Sequence, residues 1–319
     1  MSVGRSGTTP EHATRRLAIG LAVFWILAAL AQIPLALVYD LSASFEQSLV
    51  WQPPIYAFGV VGLLILTSRP RHAVGWIATW MAVLGGASML LSAFAVGPFE
   101  GTRAGSWLGA ATQASNTLAI AVTLPAVLLL FPDGRLLTRR WRRVAAVIPL
   151  AALIGATAAI LTGGWGGDSE QTIAPPPLSD ELVTVGRGLS NVFFPVFLLL
   201  LAAGGVSLVL RYRRSTGKVR RQLRWLELAG AYLALVVLSD VFLDYGQHTV
   251  VSRASLSDVL ISSAFTFVPV AIGIAILRHG LYDIDVVISR TVAFGVLAGF
   301  ITVVYAAIVV GLGSLLGGG

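Results

Sequence analysis

Asp240, Asp244 and His248 fall four residues apart, and Asp258 follows ten residues after the histidine. On one helix that interval stacks the three along a single face. Two carboxylates one turn apart repel when both are ionised, which raises the pKa of one of them. Ionisable groups are costly inside a bilayer, so in an apolar setting they are functional candidates by default. The chemistry this stripe offers is a proton- or cation-responsive site. The plainer alternative leaves Asp244, His248 and Asp258 in the wet interface, with only Asp240 inside. A second set lies further on, at Leu281, Tyr282, Asp283, Ile284, Asp285 and Arg290. There Leu281, Ile284 and Ile288 share one face of a short helix, suited to lie along a membrane surface between two spans and pass movement on.

Other chemistry finds no support. The four histidines (His12, His72, His248 and His279) lack the spacing of a metal-binding helix. No phosphate-binding loop and no nucleophile elbow occur. With 0 cysteines there is no disulfide, thiolate metal site or cysteine nucleophile. Asp240 and Asp244 share one helix, which does not suit a two-helix aspartyl dyad. The expectation is a chain without catalytic residues, metal or cofactor.

The elements that must hold these residues are apolar. Of 319 residues 56% are hydrophobic and 12% charged, against roughly 25% charged in a soluble domain. The mean hydropathy is +0.83. A bilayer core needs about 20 apolar residues per helix. About nine segments reach that scale: Leu17 to Tyr39, Val50 to Leu66, Ala73 to Val96, Trp107 to Phe131, Val144 to Thr162, Asn191 to Leu210, Trp225 to Asp244, Val259 to Leu277 and Thr291 to Gly313. The predicted fold class is therefore all-α, a polytopic membrane helix bundle. It divides into a tail over 1–16, a transmembrane domain over 17–313 and a short tail over 314–319. Arg15 and Arg16 followed by Ala29-Leu30-Ala31 have the look of a signal peptide, but the apolar run continues to Tyr39 and reads as an uncleaved anchor.

Orientation follows from the basic residues. All of the 22 Lys and Arg except Arg103, Arg187 and Arg253 fall at the N-terminus or in alternate loops. Such loops resist translocation, which predicts a plasma-membrane protein with a cytoplasmic N-terminus. Nine spans then put the C-terminus outside. The pI near 10.4 has the same origin and calls for no nucleic-acid partner. The stretch from Gly163 to Ser190, with Pro175-Pro176-Pro177, is expected to be a flexible outer connector. Pro34, Pro125, Pro149, Pro195 and Pro269 are expected to kink their spans. Gly295 and Gly299 would permit close helix packing, and Gln113 and Asn116 are expected to bond neighbouring helices.

Three motifs on the basic side occur as a set. The first is Arg69-Pro70-Arg71-His72-Ala73-Val74-Gly75-Trp76. The second is Leu130-Phe131-Pro132-Asp133-Gly134-Arg135-Leu136, followed by Arg139-Arg140-Trp141-Arg142. The third is Ile276-Leu277-Arg278 with Leu281-Tyr282-Asp283-Ile284-Asp285 and Ile288-Ser289-Arg290-Thr291; Val219-Arg220-Arg221-Gln222-Leu223-Arg224-Trp225 precedes it. Together and in order these resemble the multi-span membrane region of actinobacterial sensor histidine kinases, over most of the chain from the second span onward. Two departures stand out: His72-Ala73-Val74 replaces an expected Asn-Pro-Ile, and Arg278-His279-Gly280 replaces an Arg-Tyr-Arg-like run. The resemblance implies a sensory, signal-transducing input module. No phospho-acceptor box or ATP lid accompanies it, so kinase activity is expected only with a catalytic domain attached. The implied partners are the lipid bilayer and a second copy or a kinase. The runner-up is a transporter or permease built on Asp240 and its neighbours.

Overall fold

The structure, a computed structural model, describes residues 10–39, 42–163, 176–243, 250–251 and 254–278. The chain divides into two compact units, Met1–Ile276 and Leu277–Gly319. The first holds helices α1 (Pro10–Val38), α2 (Ser42–Ser68), α3 (Ala73–Val96), α4 (Arg103–Leu130), α5 (Trp141–Thr162), α6 (Asp180–Arg214) and α7 (Gly217–Leu243). A pair of two-residue strands, β1 (Val250–Val251) and β2 (Ala254–Ser255), precedes helix α8 (Leu256–Gly273). A single π-helical turn, Ile274–Arg278, continues α8.

Among the described residues, seven helices are long and apolar enough to cross a membrane: α1 to α6, and α8 with part of its π turn. This is a membrane-embedded helical bundle. These seven match seven of the nine expected spans. Helix α7 overlaps the expected seventh span, and the ninth, Thr291 to Gly313, lies outside the described residues together with the C-terminal tail and Gly295 and Gly299.

The bundle is built on neighbours. Helix α3 packs on α1, α2 and α4, while α4 carries α5 and α6 on its far side. Helix α8 packs on α2 and brings α7 with it. Small residues set the spacing, because without a hydrophobic force between helices in lipid the backbones must approach closely. A Cβ on Gly62 would stand 2.7 Å from Thr79 Oγ1, and one on Gly204 would stand 2.6 Å from Leu128 Cβ. Side chains bond across the same contacts. Ser88 Oγ donates to Asn116 Oδ1 at 2.7 Å between α3 and α4, the interhelical role expected of Asn116. Tyr232 and Ser263 share a 2.8 Å hydroxyl bond between α7 and α8. The outward faces are apolar, with Leu153, Leu198 and Leu199 all more than half exposed, as lipid contact requires.

One expectation is corrected. The connector expected through Ser190 is shorter, because α6 begins at Asp180 and absorbs its last eleven residues. Ser179 is the extended N-cap, and Asp180 and Glu181 occupy the first turn, where negative charge favours the exposed N–H groups.

Candidate functional site

Three basic turns meet at one end of the bundle. The first joins α2 to α3. Arg69 N donates to Ile65 O, His72 N to Arg69 O at 3.0 Å, and the Trp76 indole to Pro70 O at 2.9 Å. The Arg69 to Trp76 motif is thus a closed turn tied to the first turn of α3 by its own tryptophan.

The second turn joins α4 to α5. A helix leaves its last carbonyls without intrahelical partners. Here Phe131 N takes Val127 O and Gly134 N takes Leu130 O, both at 2.8 Å. Gly134 has φ +71°, a left-handed conformation that glycine adopts without steric cost. The Phe131-Pro132 peptide is cis, and the Phe131 ring is fully buried. The two turns touch: a Cβ on Gly134 would lie 3.3 Å from Ala73 N and 3.6 Å from His72 Cε1.

The third contribution is Arg211, in the last turn of α6. Its Nη2 donates to Leu129 O at 2.8 Å and also to Arg135 O. It therefore caps one of the two remaining α4 carbonyls and holds the turn beyond it, a cation placed at the negative end of a helix. Arg211 is buried, with 8% exposure. The stripe that puts it there is regular: Phe193, Phe197, Leu200, Gly204, Ser207 and Arg211 form the buried face of α6 at helical spacing.

Between these turns opens a cleft of about 520 Å³ lined by Arg69, Asp133, Arg135, Leu136, Leu137 and Arg211. His72 stands beside it, buried, with neither ring nitrogen hydrogen-bonded. Burial and then the nearby Arg69 charge hold its pKa below the ordinary value. The Pro132 carbonyl approaches outside hydrogen-bonding geometry, and with the Asp133 carboxylate it opposes that shift without cancelling it.

The end of α6 continues into α7 after two residues. The Arg220 guanidinium lies over the Tyr212 ring, 4.7 Å from its centroid. Gln222 Nε2 then donates to Ala275 O, in the π turn of α8, at 2.8 Å. Bonds therefore run from the α4–α5 turn through α6 and α7 to the end of α8.

Of the residues singled out by sequence, the backbone of Asp240 lies in the last turn of α7, and Asp258 lies in the first turn of α8, half-buried. The Asp240 side chain, Asp244 and His248 lie outside the described residues. So do Leu281, Tyr282, Asp283, Ile284, Asp285 and Arg290. The structure instead brings together the first two motifs, which sequence had placed in separate loops, and adds Arg211. The missed signal was periodic: Arg211 continues the α6 face marked by Gly204 and Ser207. No family model matches this chain, and no curated protein and no solved structure matches it either.

Proposed function

We propose that the chain is a sensory input module of the plasma membrane, without catalysis of its own, whose basic end faces the cytoplasm. The observation that carries this reading is the bridge made by Arg211. One buried side chain from α6 joins the α4–α5 turn, which itself rests on the α2–α3 turn. A shift of α6 along its axis must break those bonds or carry the turns with it. The Tyr212–Arg220 and Gln222–Ala275 contacts extend that dependence to α7 and α8, whose chain leads on to the Leu281 to Arg290 segment. Packed helices have discrete arrangements rather than a continuum, so such coupling suits a switch. Two of the motifs that resemble the membrane region of sensor kinases, Arg69 to Trp76 and Leu130 to Leu136, build this end. The partner receiving the signal would be a kinase or a second copy of the chain.

Deleting the gene in its own host and complementing it tests this reading. The expected outcome is a defined change in transcript profile under membrane perturbation, restored by the wild-type chain. Solute flux in proteoliposomes that is lost in Asp240→Asn, with no transcript change in the deletion, would replace the sensor by a transporter.

A further inference from the structure

We propose that the cleft between the three basic turns binds an anionic phosphate group. Its lining offers three guanidinium groups, Arg69, Arg135 and Arg211, against the single carboxylate of Asp133. Guanidinium groups are the side chains best shaped for phosphate oxygens, through paired charge-assisted bonds. Arg211 is more than nine-tenths buried, and its Nε–H has no acceptor although Nη2 has two. A buried charged group with an unmet donor is costly, and the side chain that carries it belongs to a residue lining this cleft. The volume, about 520 Å³, is that of a ligand site and far exceeds one phosphate, leaving room for the rest of an ester.

A second cleft of about 450 Å³ adjoins the first and shares Leu137 with it. Trp141 and Leu210 give it an apolar floor, with Arg139, Arg140 and Arg214 around it. Both clefts lie at the helix ends, where a bilayer places its headgroups. Basic pockets between membrane helices at that level are suited to lipid phosphates, and the apolar neighbour would take a glycerol or the start of an acyl chain. Phosphate chemistry has two sources here, a phospholipid and a soluble phosphate, and experiment separates them. The inference does not rest on the sensory reading.

The test uses the full chain, stripped of lipid in a maltoside detergent. It is titrated separately with short-chain phosphatidylglycerol, with inorganic phosphate and with the uncharged diacylglycerol, and binding is read by native mass spectrometry and melting temperature. The expected result is saturable binding of phosphatidylglycerol and none of diacylglycerol. Arg69→Gln and Arg135→Gln should each weaken it roughly tenfold, the loss of one charge-assisted contact. Arg103→Gln, at the first residue of α4 and so at the opposite end, should leave it unchanged. Phosphate binding with the same variant pattern, and no gain from the lipid chains, would assign the site to a soluble phosphate. Equal losses in all three variants, or binding of neither anion, would overturn the proposal.

Discussion

Two turns at opposite ends of the bundle are closed by different kinds of bond. At the turn between α3 and α4 every backbone bond is local: Gly97 N to Ala93 O, Phe99 N to Phe94 O, Thr102 N to Phe99 O. Thr102 then caps α4 by accepting from Gly105 N at 3.0 Å. That turn needs nothing from the rest of the molecule. At the basic end Arg211 reaches carbonyls 82 and 76 residues earlier in the chain. The α4–α5 turn there keeps its full set of partners only while α6 stays in register. A local turn holds one shape whatever the helices do, whereas a turn closed by a distant side chain reports where that helix is. This contrast is why the candidate site belongs at one end and not the other.

The largest test of the contrast is Arg211→Leu. It leaves Leu129 O and Arg135 O without their donor, and each was a bond to a charged group. Stability should fall by about 3 kcal/mol, the order of such bonds at a buried site. Arg213→Leu, two residues on and exposed, should cost almost nothing. Denaturation in mixed micelles measures both. Equal effects would mean that the basic end is as local as the other.

Two left-handed glycines sharpen the comparison. Gly101, at the local end, has φ +68° and nothing within 4 Å of a Cβ. Gly134 has φ +71° and Ala73 N at 3.3 Å. Alanine at either site costs about 1 kcal/mol for the backbone conformation alone. Only Gly134→Ala must also push the α2–α3 turn away, so it should be the more destabilising of the two. It should also alter proteolysis at the Arg69 turn, which Gly101→Ala should not.

A smaller effect belongs to the cap. Thr102→Ala should cost about 1 kcal/mol by freeing the Gly105 N–H. Its consequence should stay local, with hydrogen exchange faster in the first turn of α4 and unchanged around Asp133.

The difference between the ends also explains what the sequence could reveal. Apolar length and the asymmetry of arginines are properties of single segments, so α3 is found with both its ends, at Ala73 and Val96. The start of α6 was missed because Asp180, Glu181 and Arg187 lower the apolar signal while the helix continues past the apolar run. The Phe131 to Gly134 turn was legible as a turn from its proline and glycine. Its contact with His72 was not, since no local pattern says which of several basic loops will touch. Arg211 had been counted only as one more positive charge. Its structural role follows from sharing a face with Phe197, Leu200, Gly204 and Ser207, a periodicity visible in the sequence once α6 is extended through it.

The smallest test turns on His72, a group that titrates beside the α4–α5 turn. In the folded chain its pKa lies below the ordinary 6.5, first through burial and second through Arg69. The unfolded chain therefore binds a proton near that pH while the folded chain does not. Stability rises with pH wherever the unfolded state holds more protons, so this histidine weakens the fold as pH drops through about 6.5 toward the lower folded value. His72→Leu removes the titration and should flatten melting temperature against pH over that window. Asp133→Asn should steepen it instead, because the carboxylate acts to raise the pKa of His72 and its loss deepens the shift. Parallel curves for wild type and His72→Leu would mean that the imidazole is solvated in the folded chain, and that the contact between the α2–α3 and α4–α5 turns is looser than the Gly134 geometry requires.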